Sequence, residues 1–254
     1  MAKKPTSRWA QAAAALAVLV LLAAVVSGLG HRWGWWHFRT GFQILRYSVY
    51  AAIVLVPIAI IALVRTRPGT GRRGLTASVV ALLIPFVLIG NTLKLRQKAS
   101  SVPPIHDITT DTDNPPQFVE IAPLRADASN PVEYAGDETA AQQKAAYPDI
   151  QSMHVDLPQA AAFERALSTA ENMGWTIVDA DETEGRIEAT AQTFWYGFKD
   201  DVVIRVKSND GGSVIDVRSK SRVGRSDVGA NADRIRAYRQ KLNEERSSRT
   251  STVE

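Results

Sequence analysis

Three uncharged apolar runs, residues 9–29, 47–64 and 75–93, limit what this chain can fold into more than any other feature. They hold 21, 18 and 19 residues, and at about 1.5 Å of rise per residue each is long enough to cross about 30 Å of hydrocarbon as a helix. A bilayer offers backbone groups no hydrogen-bond partners, so segments of this kind must be helical. Residues 1–98 are therefore expected to form a three-span transmembrane anchor. Lys3, Lys4 and Arg8 ahead of the first run imitate a signal peptide, but the apolar core is long and no small-x-small site follows, which predicts a retained anchor. Trp33, Trp35, Trp36 and Phe38 cluster with His31, Arg32 and His37 between the first two runs, the composition of an interfacial aromatic belt. His31 and His37 have no acidic or thiol neighbours to complete a metal site. Pro57 and Pro85 are expected to kink the second and third spans. No Asp, Glu, Lys or Arg interrupts the runs, which speaks for an anchor over a transporter.

Orientation rests on basic loops. The segment RTRPGTGRR, residues 65–73, packs four arginines into a short loop that is hard to translocate. With three spans this puts the N-terminus inside and the rest of the chain outside the cytoplasm, so the localisation expected is the inner (plasma) membrane with an extracytoplasmic soluble domain.

Charge divides the chain sharply. No acidic residue precedes Asp107 although thirteen of the 30 Lys and Arg do, so residues 107–254 carry 17 basic against 26 acidic residues, or about −9. Within that half, residues 107–217 have 7 basic and 21 acidic residues, whereas 218–254 have 10 and 5. An acidic domain lacks the basic face that displaces counterions from phosphates, so nucleic acid is excluded as a partner. The absence of cysteine removes disulfides, thiolate metal sites and cysteine nucleophiles. No cofactor and no metal is expected.

Residues 99–148 read as a Pro/Asp-rich linker, since Pro103, Pro104, Pro115, Pro116, Pro123 and Pro131 prevent continuous regular structure. His106, Asp107, Asp111 and Asp113 within it suggest calcium. The EF-hand test fails, because Pro116 and Ala122 stand where Gly and Glu belong when Asp111 is taken as position 1. A short Ala-rich helix is predicted at Asp137–Ala146.

Residues 149–243 are expected to form the soluble domain. A first strand is read at 150–155, then a helix in which Phe163, Ala166, Leu167, Ala170 and Met173 recur at helical spacing until Gly174. Strands follow at 175–181, 186–193 and 201–207, with turns at 182–185 and 209–212. Short connections imply a mainly antiparallel sheet, and one apolar face per strand implies that two helices cover that face, giving a two-layer α+β domain. Glu188, Arg205 and Asp216 are expected as cross-strand neighbours on the other face. The tail, residues 244–254, is predicted to be disordered.

The densest chemistry lies in VIDVRSKSRVGRSDVGANADRIRAY, residues 214–238, which joins a strand to a helix. Ile215, Val217, Ser219 and Ser221 point to one side of the strand, and Asp216, Arg218, Lys220 and Arg222 to the other. Gly224 marks the turn, and Ser226 or Asp227 is expected to cap the helix. Arg222 and Arg225, with Gly224 and Ser226, make a candidate site for an anion at the helix start. Opposed to it is a structural reading, in which Asp216, Arg218, Asp227 and Arg234 form internal ion pairs and Asp200 or Asp201 takes up the remaining arginines.

The runs FKDDVVIRV (198–206) and IDVRSKSRVGRSDVGANADRIR (215–236), with IHDITTDTDNPPQF (105–118) upstream, resemble the DUF1499 family of bacterial domains of unknown function. The resemblance covers residues 105–242, omits the spans, and brings neither an activity nor a site residue. The function expected is thus a binding or accessory module anchored at the bacterial envelope, its partners being membrane lipids and an anionic envelope ligand or another envelope protein. The alternatives are a structural envelope protein or a hydrolase using Asp200, Asp201 or His154 near Ser219 or Ser221. Against the hydrolase, neither serine lies in a nucleophile elbow, and Asp200 and Asp201 alternate faces.

Overall fold

A computed structural model describes residues 5–250, with side chains as far as Glu244. The basic residues Lys3 and Lys4 and the last four residues of the tail lie outside the described residues. The chain forms two compact units, one comprising residues up to Lys98 together with Phe194–Gly197, the other Ala99–Thr193 together with the residues from Phe198 onward.

The first unit holds three helices, α1 (Arg8–Arg32), α2 (Phe38–Thr66) and α3 (Leu75–Ser101), each long and apolar enough to cross a membrane. Ser7 caps α1 by accepting from the Ala10 amide, and His37 caps α2 by accepting from Arg39. Ala10 and Ala13 of α1 meet Ala59 and Ala62 of α2 and Ala81 of α3, small residues that let helix backbones approach where no water drives them together. Larger side chains such as Leu19, Val54 and Val87 face outward, which leaves an apolar outer surface of the kind a membrane span presents. Pro57 and Pro85 lie inside α2 and α3.

The second unit is an α+β domain built on one antiparallel sheet. Its strands are β1 (Asp107–Thr109), β2 (Met153–Val155), β3 (Thr176–Asp181), β4 (Arg186–Gln192), β5 (Lys199–Asn209) and β6 (Gly212–Ser221). The order is β1-β6-β5-β4-β3, and β2 also pairs with β6. β1 lies opposite Arg218, Ser219 and Lys220 while β2 lies opposite Ser213, Val214 and Ile215, so the two short strands share one edge of β6 end to end. The apolar face, carrying Ile187, Val202, Ile204, Val206, Ile215 and Val217, is covered by α5 (Gln159–Asn172) and α6 (Ala230–Thr250). Phe163 of α5 and Tyr238 of α6 enter this core, and Trp175 stacks on Tyr238 at 5.4 Å between ring centroids. The predicted Ala-rich helix is α4 (Asp137–Ala146).

Four sequence expectations are revised. The first strand of the predicted domain begins at Met153, three residues after Ile150. Helix α6 begins at Ala230, because Val228 (φ 56°) and Gly229 (φ 81°) adopt left-handed backbone just after Asp227. The same helix is assigned through Thr250, past residue 243 where the soluble domain was expected to end, and residues 251–254 of the tail expected to be disordered lie outside the described residues. The fourth revision concerns the linker. It contains β1, a turn of 3-10 helix at Ala122–Arg125, and a strap, residues 110–136, closing the sheet face opposite the helices. Phe118 and Ile121 of this strap pack on Val203 of β5, with Val132 beside them. Prolines keep the strap extended, and its backbone groups find partners in sheet side chains instead of a regular ladder. Glu188 supplies the main attachment, since its carboxylate accepts from the amides of Val119 (2.7 Å), Glu120 (3.2 Å) and Ile121 (2.7 Å). Its register partner is accordingly Val203, while Arg205 faces Asp216.

Candidate functional site

The alternation of β6 sends Asp216, Arg218, Lys220 and Arg222 under the strap, where each meets a partner from a distant part of the chain. Arg218 is fully buried (0% exposed) and forms a two-pronged pair with Asp107 of β1, Nε to Oδ1 and Nη2 to Oδ2, both 2.9 Å. Lys220 Nζ reaches the same carboxylate at 2.9 Å, so two cations share one anion beneath the strap. Arg218 also lies over the rings of Phe118 and Tyr134, 5.0 and 5.4 Å from their centroids. Burial holds the Lys220 ammonium below its usual pKa, against the attraction of Asp107.

Arg222 is engaged in the same way. Its Nε and Nη2 bind the two oxygens of the fully buried Asp201 at 2.9 and 2.8 Å, and Arg125 of the strap and the Thr190 hydroxyl bind that carboxylate too. Burial likewise lowers the pKa of Arg125. At the other end of β6, Asp216 accepts from Arg205, Thr110 and Ser152, and Arg205 also pairs with Asp111 at 2.8 Å. Asp111 and Asp107 are therefore tied to arginines, and no group of three or more acidic or His residues suited to a metal occurs among the described residues.

On the helix side, Asp200 pairs with Arg234, and Asn231 accepts from the Ser219 hydroxyl and donates to the Ser221 hydroxyl. Both hydroxyls are buried and bonded. Asp200 and Asp201 lie on opposite sheet faces, as strand alternation demands, and His154 sits on β2 opposite Val214. Of the residues weighed for hydrolysis, Asp200 is brought beside both serines, lying across from Ser221 and sharing Arg234 with Ser219, whereas Asp201 is on the other face and His154 at the far end of β6, and all three side chains of the cluster are taken up by Arg234 and Asn231. Asp227 accepts from the amides of Gly229 (2.7 Å) and Asn231 (2.8 Å), satisfying the start of α6 from within the chain. Burial raises the pKa of this carboxyl, against the lowering effect of those two amides.

Arg225 differs from its neighbours. Its side chain is exposed and has no ion-pair partner among the described residues. It lines a cleft of about 230 Å³ together with His106, Asn130 and Thr139. His106 Nδ1 lies 3.4 Å from the Arg225 carbonyl, and Asn130 ties the turn down by donating to Gly224 O and Ser221 O. Gly224 takes φ 97°, a left-handed conformation that favours glycine, and Ser226 Oγ accepts from the Val228 amide. Asp107 contributes to the cleft wall, and behind it stand Arg218 and Lys220, two cations against one carboxylate.

A larger recess of about 540 Å³ lies between α4 and the β1/β2 edge, lined by Asp111, Asp113, Lys144, Tyr147, Ser152 and His154 among others. Lys144 pairs with Asp113, and Ser152 and Asp111 are held by Asp216 and Arg205. Sequence reasoning found Arg222, Arg225, Arg218 and Arg234 but not the partnership of Arg218 with Asp107, the role of Arg125, or the cleft residues Asn130 and Thr139. His106, directly before the Asp107 that anchors β1, was the available signal.

No curated protein matches the chain. The family described as "Protein of unknown function (DUF1499)" matches residues 107–242, from the first residue of β1 to the last apolar anchor of α6. This stretch takes in the strap, the whole sheet and Arg225, though not His106 of the cleft, and it is more than half of the chain. The chain therefore belongs to the DUF1499 family.

Proposed function

We propose that this protein is a membrane-anchored binding module of the bacterial inner (plasma) membrane, whose α+β domain lies outside the cytoplasm and takes a small anionic group in the cleft beside Arg225. The observation that carries the reading is the contrast between two neighbouring arginines: Arg222 is saturated by Asp201, while Arg225 stands exposed at its cleft with no ion-pair partner among the described residues. An arginine in that position offers a planar fork to a phosphate or carboxylate at no cost in broken internal pairs. The anion site is therefore narrower than the sequence suggested, with Arg225 and His106 in place of Arg222, and the amides at the start of α6 left to Asp227. The arginine-rich loop at 65–73 supports the orientation.

Thermal unfolding of the detergent-solubilised chain, with and without inorganic phosphate, tests the proposal. Phosphate is expected to raise the midpoint of the parent and to leave Arg225→Ala unmoved. An equal rise in both, or none in the parent, would refute it.

A further inference from the structure

The first unit contains one piece of chain from far outside the helices, Phe194–Gly197, the connection between β4 and β5. Its contacts fall at one end of α1. Trp195 Nε1 donates to the Val25 carbonyl at 2.8 Å, the hydroxyls of Tyr196 and Ser27 lie 3.3 Å apart, and Arg32 Nη1 donates to the Phe194 carbonyl at 2.9 Å. Glycines make room for these rings: a Cβ on Gly28 would stand 2.5 Å from the Trp195 ring, and one on Gly41 would stand 3.0 Å from that of Tyr196. Tyr196 also meets Phe42 of α2 at 4.9 Å between centroids.

The segment nevertheless leaves much of its aromatic surface open. Phe194 is 83% exposed, although Arg32 lies 5.7 Å over its ring, and Trp33 and Trp35 are exposed at the same end of α1. Aromatic side chains mixed with arginine are the composition that settles where hydrocarbon gives way to headgroups. The depth agrees. Twenty-five residues of α1 span about 37 Å against about 30 Å of hydrocarbon, which leaves the last turn, Leu29 to Arg32, in the headgroup layer. So does parity. An odd number of crossings brings the C-terminal ends of α1 and α3 to the same side, and Phe194 lies in the chain that follows α3.

We propose that Phe194–Gly197 is a lipid-contacting element, with the Phe194 ring and the edge of Trp195 immersed at the headgroup boundary of the bilayer that α1–α3 cross. This rests on the membrane-spanning reading and is independent of the anion cleft. The occupant is lipid and not a second protein, because the exposed rings continue the aromatic belt of Trp33 and Trp35 and are flanked by Arg32, a cation suited to lipid phosphate.

The chain contains no cysteine, which makes spin labelling clean. Phe194→Cys replaces a ring that is almost fully exposed and so leaves the packing in place. The full chain is labelled at position 194, reconstituted in phosphatidylcholine vesicles containing phosphatidylglycerol, and its collision rates with oxygen and with a water-soluble nickel chelate are measured. Leu19→Cys, at an exposed mid-helix position of α1, and Asp210→Cys, in the β5–β6 turn, serve as lipid and water references. Oxygen is expected to dominate at 194, by several-fold relative to 210 and less than at 19. Nickel access at 194 equal to that at 210 would overturn the proposal, and so would shielding from both reagents, which would mean that protein covers the ring. Should 19 itself read as water-exposed, the spanning reading fails; a lipid reading at 19 with a water reading at 194 sinks only the present inference.

Discussion

Arg218→Ala is the substitution whose cost the structure defines best. The guanidinium makes four hydrogen bonds, two to Asp107 at 2.9 Å, one to the Pro116 carbonyl at 3.1 Å and one to the Val132 carbonyl at 2.9 Å. Alanine removes all four at once and leaves the fully buried Asp107 carboxylate with Lys220 as its one cation. Truncating one partner of a buried pair costs about 3–5 kcal/mol, and the lost packing on Phe118 and Tyr134 puts the expected value near the top of that range. Against a typical stability of about 5–15 kcal/mol, this removes about a third or more of the total. Arg222→Ala is the comparison within the same strand and turn. Asp201 keeps Arg125 and Thr190, and Arg222 is partly exposed, so about 1–2 kcal/mol is expected. Hydrogen exchange of the β6 amides in the detergent-solubilised chain reads both as opening free energies. Protection of β6 in Arg218→Ala within about 1 kcal/mol of the parent, or a larger loss in Arg222→Ala, would refute the assignment of buried charge to the strap interface.

Glu188→Gln keeps one acceptor oxygen but turns an amide N–H₂ toward a backbone donor of the strap, and it should cost about 2–3 kcal/mol and open residues 110–136 to limited proteolysis, read by peptide mapping. Asp227 has its folded pKa raised by burial, so its favourable contribution is complete below the unfolded value of about 4 and is lost as pH rises through the folded value. Denaturant midpoints of the parent should consequently fall, relative to those of Asp227→Asn, as pH is raised above about 4. Alkaline phosphatase fused after Leu242 is expected to be active and green fluorescent protein fused there dark; the reverse pattern would place the domain in the cytoplasm.

The parts of this fold that were legible in the sequence are those whose signal is periodic. The charged row Asp216, Arg218, Lys220 and Arg222 declared β6 and its two faces, and Phe163, Ala166 and Ala170 declared α5. The strap was illegible because its packing residues, Phe118, Ile121 and Val132, follow no period, and its hold on the sheet runs through backbone amides that any sequence possesses. Three-residue strands such as β1 carry too few side chains to show alternation, and its pairing depends on Asp107 meeting Arg218, 111 residues away. At the candidate site the arginines were visible but their partners were not. Arg222 and Arg225 look alike in sequence, and only the register that sets Asp201 across from Lys220, two residues before Arg222 on the same face, separates the saturated one from the one without an ion-pair partner among the described residues.

Native mass spectrometry of the intact protein, gently extracted from its own membrane, tests the central claim most directly. The account predicts a co-purifying anionic species that is retained by the parent and by Arg222→Lys but lost from Arg225→Ala. A species held equally by Arg225→Ala, or a parent that carries nothing and gains no mass when phosphate-bearing headgroups are added, would contradict it.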